Sequence, residues 1–358
     1  MSANIRVLLL MNRIASYRVA CYNLIAKKVD LTIGYTDKDD DPRQGDYNRI
    51  CLPTWRIGHW RIQKPGFRSL CKQYDVVIFV GDLHSVNYCL LPWMGGPFKT
   101  AVWCMGIRAS YTKIYDIKRR HTIIDWVYGL MLRKSDACIF YMKEPLKFWG
   151  DAIDYNKVFV AINTVPVSYV DHCTPRKNVL FVGTLYRGKG IERLLNVYNQ
   201  VLLDGLLPPH LDIVGDGEER EALEGKVKNS ALCDYISFHG AIYDEDVLGR
   251  LFATAIVCVS PGQAGLTVLK SMGYGVPFVT SEGAITGGEI LNIVHGYNGM
   301  ILSNDEDWRR LVVQITTTPE VFGEMGRRAR EYYLKSATTE KMASGVLSAI
   351  EYTLVAHP

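Results

Sequence analysis

The sequence lacks the features that mark membrane-spanning, secreted and metal-bound proteins. It contains no run of about 18 uncharged apolar residues, so no helix is expected to span a bilayer. The apolar run from Ile5 to Met11 is too short for a signal peptide and leads directly to polar residues. The nine cysteines form no CxxC pair and no cluster with histidine at zinc spacing, so we interpret them as reduced core residues. These absences predict a cytoplasmic protein.

Two nucleotide-binding patterns are also missing. The chain has neither a P-loop nor a GxGxxG segment, which argues against an NTPase and against a nicotinamide-dependent enzyme. With 48% hydrophobic and 22% charged residues, the composition is globular and excludes a disordered, collagen-like or coiled-coil chain.

Length and charge distribution indicate two domains. A chain of 358 residues exceeds what one hydrophobic core usually organises. Residues 1–172 carry 24 Lys and Arg against 15 Asp and Glu, whereas residues 173–358 carry 17 against 22. Halves of opposite charge suggest domains with different partners, and the basic half suits an anionic one.

Short apolar runs alternate with helical patterns along the chain, which is typical of an α/β fold with parallel sheets covered by helices. We expect two doubly wound domains, residues 1–165 and 178–338, joined by a polar, proline-containing linker at 166–177. The predicted strands are Val7–Met11, Leu31–Tyr35, Val76–Val80, Thr100–Cys104, Ala137–Tyr141, Val158–Ala161, Asn178–Val182, Leu211–Val214, Ile236–His239, Ala255–Val259 and Phe278–Thr280.

Two glycine-bearing loops follow predicted strands of the second half. The first begins at Gly183 and contains Arg187 and Lys189, which are able to bind a diphosphate or are simply solvated loop cations. The second contains Gly215, where a flat group such as a nucleotide base is able to approach the backbone, with Asp216 available to cap the next helix. A tight turn between strand and helix is the alternative for this loop.

A third loop follows the predicted strand Ala255–Val259. A helix is expected to begin near Gly265, where free amides and the Thr267 hydroxyl would form an anion site. The residues expected to bind the anion are Gly262, Gln263, Ala264, Gly265, Leu266 and Thr267.

In this order, the loops resemble the C-terminal domain of family 4 glycosyltransferases, the retaining nucleotide-sugar enzymes of the GT-B fold. The resemblance covers about residues 178–302 and rests on the segments LFVGTLYRGKGIERLL, LDIVGDGEER, ISFHGAIYDEDVLGRLFATAIVCVSP, AGLTVLKSMGYGVPFVTS and GGEILNIVHGYNGMIL. It implies two Rossmann-like doubly wound domains facing a central cleft, with the donor bound by the second domain and the acceptor by the first. It also implies that residues 339–358 include a helix that packs back on the first domain.

The sequence departs from the family at two glutamates that lie eight positions apart. The matching residues here are Gly262 and Lys270, so Gln263 is the nearest polar substitute for the first glutamate. Lys270 either binds ribose or phosphate or is a solvated helix lysine. A branch of capsule and lipopolysaccharide enzymes also lacks the glutamate pair, and the chain resembles that branch.

The resemblance implies transfer of a sugar from a nucleoside diphosphate with retention at the anomeric carbon. Arg187 and Lys189 are the predicted catalytic residues, because they would stabilise the leaving diphosphate. No cofactor or metal is expected, since the loops carry no DxD-like motif, and we interpret the carboxylate run Asp39–Asp41 as solvated surface. No general base is assigned.

Acceptor contacts are expected in the first half, after its first, third and fourth predicted strands. The candidates are Asn12, Tyr17, Arg18, Asp82 and Arg108. By contrast, we interpret His59 and His84 as structural or surface residues.

Two basic, aromatic-containing clusters of the first half suit an anionic membrane surface. No acidic residue lies between Asp46 and Asp75. The first cluster contains Arg49, Arg56, Arg61, Lys64, Arg68 and Lys72 with Trp55, Trp60 and Phe67, and the second contains Lys113, Lys118, Arg119 and Arg120 before a helix with Trp126 and Tyr128. A neutral explanation for the charge remains open, while a nucleic-acid partner is disfavoured because no RNA-binding motif is present. We therefore expect peripheral association with the inner face of the cytoplasmic membrane and a glycan or lipid-linked acceptor.

Two other functions remain open at this point. One is a sugar-nucleotide 2-epimerase, which shares the GT-B architecture but depends on carboxylates and histidines. The other is a non-catalytic partner that binds a nucleotide sugar, which the missing glutamates make plausible.

Overall fold

The chain folds into two compact units. The structure, a computed structural model, describes residues 5–39, 45–108, 115–168 and 175–355. Unit 1 comprises Met1–Ala109, Asp116–Thr164 and Thr338–Pro358, and unit 2 comprises Ser110–Tyr115 and Val165–Ala337. Residues 169–174 of the expected linker lie outside the described residues, as do Asp40, Asp41 and Lys113.

The main sheet of unit 1 is parallel and doubly wound. Its described strands have the order β3-β2-β1-β6-β7-β8-β9, and β4 and β5 form a separate antiparallel hairpin. The strands are β1 (Arg6–Ile14), β2 (Asp30–Asp39), β3 (Asn48–Cys51), β4 (Thr54–Ile57), β5 (Trp60–Gln63), β6 (Val76–Val80), β7 (Lys99–Cys104), β8 (Ala137–Phe140) and β9 (Val158–Val160). The strand order reverses between β1 and β6, which is where such sheets bind ligands.

Unit 2 repeats this arrangement with a second parallel sheet. Its described strands have the order β12-β11-β10-β13-β15-β17, while β14 and β16 form a small separate pair. The strands are β10 (Asn178–Val182), β11 (Leu211–Val214), β12 (Ile236–Gly240), β13 (Ala255–Val259), β14 (Gln263–Ala264), β15 (Phe278–Ser281), β16 (Ile285–Thr286) and β17 (Gly299–Leu302). Here the order reverses between β10 and β13.

Helices connect the strands of both sheets. They are α1 (Val19–Ala26), α2 (Phe67–Cys71), α3 (Val86–Met94), α4 (Ile123–Lys134), α5 (Pro145–Trp149), α6 (Ile191–Leu203), α7 (Arg220–Lys228), α8 (Glu245–Thr254), α9 (Thr267–Gly273), α10 (Asp305–Thr317), α11 (Glu320–Ser336) and α12 (Thr339–Val355).

The central strands of each sheet are apolar on both faces and are buried, whereas the edge strand β3 is partly exposed. Every residue of β13 is buried, as parallel strands covered by helices require. The covering helix α6 buries Ile191, Leu194, Leu195 and Tyr198, which recur at the helical period and share one face. This packing fixes the carboxyl ends of the strands, from which the loops of the candidate site emerge.

The C-terminal helix α12 belongs to unit 1. It buries Met342, Val346 and Ile350 in the core that also contains β1 and β7 residues. A Cβ atom on Gly345 would lie 2.1 Å from the Val160 carbonyl oxygen, so glycine allows α12 to pack directly on β9.

The α/β fold class with two parallel sheets is confirmed. The predicted bounds of β6, β10, β11 and β13 agree with the structure to the residue. β3, β17 and the hairpin β4–β5 are not among the predicted strands. β3 and the hairpin are partly exposed and contain polar residues, so they lack the continuous apolar run that identifies a buried strand, whereas β17 is an apolar run of only four residues.

Candidate functional site

The first loop of unit 2 leaves β10 where the strand order reverses. The Gly183 amide donates a hydrogen bond to the Val214 carbonyl at 2.9 Å, which joins the ends of β10 and β11. The chain then passes through a short 3₁₀ helix, Arg187–Lys189, into α6. A Cβ atom on Gly183 would lie 2.9 Å from Lys189 Nζ. The ammonium group therefore covers the end of β10, at the usual ligand position of a doubly wound sheet.

The Lys189 ammonium is a partly buried cation for which the structure records no hydrogen bond or ion pair within the described residues. The centroid of the Tyr186 ring lies 5.8 Å from Nζ. Burial lowers the pKa of Lys189 to about 8. Since burial penalises a charge that lacks a counterion, this environment favours the binding of an anion at Nζ.

Arg187 differs from Lys189 in its surroundings. It is exposed, and within the described part of the chain it has no recorded hydrogen bond or ion pair; its recorded electrostatic interaction is with Glu192. Its guanidinium group is therefore not held by a short contact and is available to a ligand near Lys189.

The third loop is hydrogen-bonded to the first. The Gly262 amide donates to the Lys189 carbonyl at 2.9 Å, and the Tyr186 hydroxyl donates to Gln263 Oε1 at 3.0 Å. A Cβ atom on Gly262 would lie only 2.0 Å from the Gly188 carbonyl oxygen. Gly262 is therefore required for contact between the loops. Tyr186 was not among the predicted site residues, although the sequence shows this aromatic residue two positions before Gly188.

The start of α9 lies against the same strand end. Thr267 Oγ1 donates to the Val182 carbonyl at 3.4 Å, one residue before Gly183. Ala264 is buried, whereas a Cβ atom on Gly265 would meet nothing within 4 Å. The first amides of a helix have no partner within it, so the Thr267 amide and those of Gly265 and Leu266 just before α9 are donors on a segment that contacts the end of β10 through Thr267.

The second loop packs on the first rather than forming an open surface. A Cβ atom on Gly215 would lie 1.8 Å from the Gly183 carbonyl oxygen, so only glycine fits here. The expectation that Asp216 caps the next helix is wrong, because α7 begins at Arg220. Instead, Asp216 Oδ2 accepts a hydrogen bond from Arg220 Nη1 at 3.1 Å. The role of Gly215 in this structure is close packing of two backbones.

Lys270 has a partner of its own. Its ammonium donates to Glu245 Oε1 at 2.7 Å, and only 16% of its side chain is exposed. This ion pair joins α9 to α8. The ammonium of Lys270 therefore has a partner within the protein, without a ribose or phosphate. The residue is also not the solvated helix lysine that was the alternative expectation.

In unit 1, two of the expected acceptor residues lie together where that sheet's strand order reverses. Asn12 Nδ2 donates to Asp82 Oδ2 at 2.8 Å, and the buried Ser85 donates to Asn12 Oδ1 at 2.8 Å. Arg61 of the hairpin lies 3.5 Å from Asp82, and His84 Nδ1 lies 3.0 Å from it. The sequence analysis missed Ser85 and Arg61 as members of this cluster, because no local pattern pairs them with residues about 20 or 70 positions away.

Arg18 is a correction to the expected acceptor contacts. It is 6% exposed, and its Nη2 donates to the Tyr141 hydroxyl at 2.6 Å and to Asn163 Oδ1 at 2.8 Å. Its guanidinium carbon also lies 5.1 Å from the centroid of the Trp103 ring. Arg18 therefore connects the start of α1 to the segments after β8 and β9 from within unit 1.

Tyr17 and Arg108, the remaining expected acceptor residues, have other neighbours. The partly buried Tyr17 ring lies 5.6 Å from the Arg18 guanidinium carbon. Arg108 Nη1 donates to Thr122 Oγ1 at 3.4 Å and lies 3.8 Å from Asp125 Oδ1, at the start of α4. Neither residue has a recorded contact with Asn12 or Asp82.

No candidate metal centre emerges from the described ranges, which contain no group of three or more His, Cys, Asp or Glu side chains that could hold an ion. The same residues contain no helix long and apolar enough to cross a membrane.

Comparison with known proteins links unit 2 to one enzyme family. Residues 176–318 match the family model described as "Glycosyl transferases group 1". An uncharacterized glycosyltransferase of Haemophilus influenzae is 29% identical over 158 residues, which are 43% of this chain and 43% of that protein. Another from Methanocaldococcus jannaschii is 32% identical over 127 residues, 35% of this chain and 31% of that protein. The chain thus spans less than half the length of the curated relatives it matches.

Solved structures resemble the chain over nearly its whole length. Anabaena Alr3699/HepE in complex with UDP has a TM-score of 0.70 at 12% identity, over 97% of this chain and 100% of that one. The apo form of the lipopolysaccharide outer core galactosyltransferase WaaB has a TM-score of 0.66 at 15% identity, over 96% and 99%. The chain has the GT-B fold. At these identities the structures establish the fold alone, and the family match of unit 2 is what supports a glycosyltransferase among GT-B proteins.

Proposed function

We propose that this chain is a retaining glycosyltransferase that moves a sugar from a nucleoside diphosphate donor to a glycan or lipid-linked acceptor in cell-surface polysaccharide synthesis. The observation that carries this proposal is the Lys189 ammonium, which is partly buried, has no recorded partner in the described chain, and lies over Gly183 at the end of β10. The leaving diphosphate gains negative charge in the transition state, so a cation fixed at that position lowers the barrier.

Each residue around Lys189 has a role in this proposal. Lys189 and Arg187 bind the diphosphate oxygens, and the amides of Gly265–Thr267 add neutral donors. Gly183 allows the phosphates to approach the backbone, since it has no side chain. The departing phosphate oxygen accepts the acceptor's proton, so no carboxylate is assigned as a base. The residues proposed to bind the donor include no metal ligands, and the chemistry assigned to them requires no cofactor.

A uridine diphosphate sugar is the first donor to test. HepE was crystallised with UDP and with UDP-glucose, and WaaB is named a galactosyltransferase. A thermal-shift screen of UDP-, GDP- and CMP-sugars tests the choice, because a donor at 100 times its Kd adds about 2.7 kcal/mol to the stability of the folded state. If no nucleotide sugar raises the Tm, the proposal is wrong.

We expect nucleotide affinity to depend on pH through Lys189. The pKa of this group is about 8 in the free protein, and a bound diphosphate favours the charged form and raises it again. Binding therefore takes up a proton near pH 8, and affinity falls above that pH by up to about tenfold per unit. Calorimetric titration of UDP between pH 6.5 and 9.5 measures this profile. An affinity that does not change from pH 7 to 9 would contradict the assignment.

The acceptor side of the proposal includes association with an anionic membrane surface through α4. Ile123, Trp126 and Val127 lie at helical spacing on one face and are 84%, 60% and 45% exposed. Tyr128, which the sequence analysis placed among the surface aromatics, is buried instead. An outward apolar face on a helix is the feature by which helices bind at the membrane interface.

Cations flank this apolar face at both ends of α4. Lys118 and Arg120 are exposed before the helix, and Arg133 and Lys134 are exposed at its last turn. Each exposed cation near an anionic bilayer contributes about 1 kcal/mol. We therefore place the protein in the cytoplasm, bound peripherally to the inner face of the membrane.

Replacing Ile123 and Val127 together by aspartate is expected to release the protein from vesicles that contain anionic lipid. The change places two negative charges on the face that would enter the interface, and both side chains are already exposed, so the fold is retained. Co-sedimentation at low salt measures the effect. Leu203→Asp is the matched control, because this residue is 71% exposed but belongs to unit 2. Equal binding of the double variant and the wild type would overturn the role of α4.

A further inference from the structure

A second candidate binding site lies in unit 1, away from the residues expected to contact acceptor. It is a shallow cavity of about 350 Å³, open to solvent, between the hairpin β4–β5, the following loop with α2, and α3. Neither Asn12 nor Asp82 is among its lining residues. A cavity of this size holds a phosphate group together with a sugar ring or a glycerol unit.

Two cations line the cavity, and no acidic residue balances them nearby in sequence. Lys64 is exposed on the loop after β5, and Arg68 lies on α2. Arg68 Nη2 donates to the Met94 carbonyl at 2.5 Å and to the Gly95 carbonyl at 3.3 Å, which fixes its position and leaves its other N–H groups available. The structure records no ion pair for Lys64 or Arg68 within the described residues. The wall therefore carries net positive charge.

Gln63 fixes the end of the hairpin against α3 at the edge of the cavity. Its backbone amide donates to Asn87 Oδ1 at 2.7 Å. Its side chain is buried on the face of the hairpin opposite Trp55, where Oε1 accepts from Thr54 Oγ1 at 3.4 Å. These bonds hold the two elements that frame the cavity in place.

The remaining wall is aromatic. Trp55 and Phe67 both line the cavity, and they are 51% and 7% exposed. On the hairpin, Trp55 shares the outward face with Ile57 and Trp60, which are 64% and 50% exposed. The cavity thus combines positive charge with a flat apolar surface.

We propose that this cavity binds a phosphate monoester, with the phosphate at Lys64 and Arg68 and its organic group against Trp55. A phosphate monoester suits these two cations because it carries about two negative charges and three acceptor oxygens. This deepens the proposed function, because an acceptor that carries phosphate would be held by unit 1. The monoester has two sources, phosphatidic acid in a membrane and a soluble sugar or glycerol phosphate.

The test follows the indole N–H signals of the nitrogen-15-labelled full chain by NMR, with the Trp55 signal assigned through Trp55→Phe. We expect sn-glycerol 3-phosphate to shift the Trp55 signal saturably and uridine to leave it unchanged. Lys64→Ala is expected to weaken this binding about tenfold or more, the size of one charged hydrogen bond. Lys28→Ala is the matched control, because it removes an exposed charge of the same unit that lies outside the basic clusters and does not line the cavity.

Vesicle binding separates the two sources. If Lys64→Ala, but not Lys28→Ala, also loses binding to phosphatidic acid vesicles, the ester is supplied by lipid, whereas unchanged vesicle binding indicates a soluble ester. If the Trp55 signal does not respond, or if both lysine variants weaken binding equally, the cavity proposal is overturned. Titration with UDP on the same samples is independent of this result, so a chain that binds glycerol phosphate but no nucleotide would overturn only the proposed function.

Discussion

Lys189→Met is expected to lower kcat for sugar transfer by about two orders of magnitude or more, the size seen when one charge-stabilising donor is removed from a transition state. Methionine keeps the apolar stem of the side chain and removes only the ammonium that lies over Gly183. Because that ammonium is partly buried without a recorded hydrogen bond or ion pair among the described residues, the variant is expected to keep the Tm of the wild type or exceed it. Loss of activity without loss of stability is the signature of a group that acts on the ligand.

Lys228→Met is the control for this experiment, since Lys228 is an exposed lysine on α7 of the same unit. It is expected to leave kcat unchanged. Arg187→Ala is expected to act in the same direction as Lys189→Met, because Arg187 is the other cation of the loop. Wild-type turnover in Lys189→Met would remove Lys189 from the mechanism.

Gly262→Ala is expected to abolish detectable donor binding and to lower the Tm. Its new Cβ atom would lie 2.0 Å from the Gly188 carbonyl oxygen and 2.9 Å from the Lys189 carbonyl carbon, so the backbones of the two loops must separate. That movement displaces Lys189 from the end of β10. A displacement of about 1 Å at a catalytic group is enough to cost a hundredfold in rate.

Gly283→Ala is the control for Gly262→Ala. It adds the same methyl group to an exposed glycine of unit 2 that has no proposed role in donor binding, at a position where no described atom lies within 4 Å. We expect it to bind donor and unfold as the wild type does, by thermal shift with and without nucleotide. If Gly262→Ala also behaves as the wild type, the contact between the loops does not position the site.

Buried strands are the part of this fold that the sequence predicts best. β10 and β13 are short runs of apolar residues, many of them β-branched, bounded by polar or glycine residues, and this pattern is local. The hairpin β4–β5 carries tryptophan and isoleucine on its exposed face, which is the reverse of the usual pattern for a surface strand. Its strands therefore could not be predicted from alternation alone.

The sequence predicted those parts of the candidate site in which a glycine or a charged residue directly follows a recognisable strand. Gly183 and Lys189 follow a recognisable strand, so the sequence indicated their position and charge. The bond between Tyr186 and Gln263 joins residues 77 positions apart, and the burial of Arg18 depends on Asn163, 145 positions away. Such contacts arise only when the sheet assembles, because no periodicity encodes which loops become neighbours.

Paired titrations of UDP and uridine into the wild type and Lys189→Met test the central claim most directly. If Lys189 binds the diphosphate, its replacement removes a charged hydrogen bond of about 1.5–3 kcal/mol from UDP and nothing from uridine. The account predicts that Kd for UDP rises at least about tenfold while Kd for uridine is unchanged. Equal changes for the two ligands, or no change for either, would contradict it.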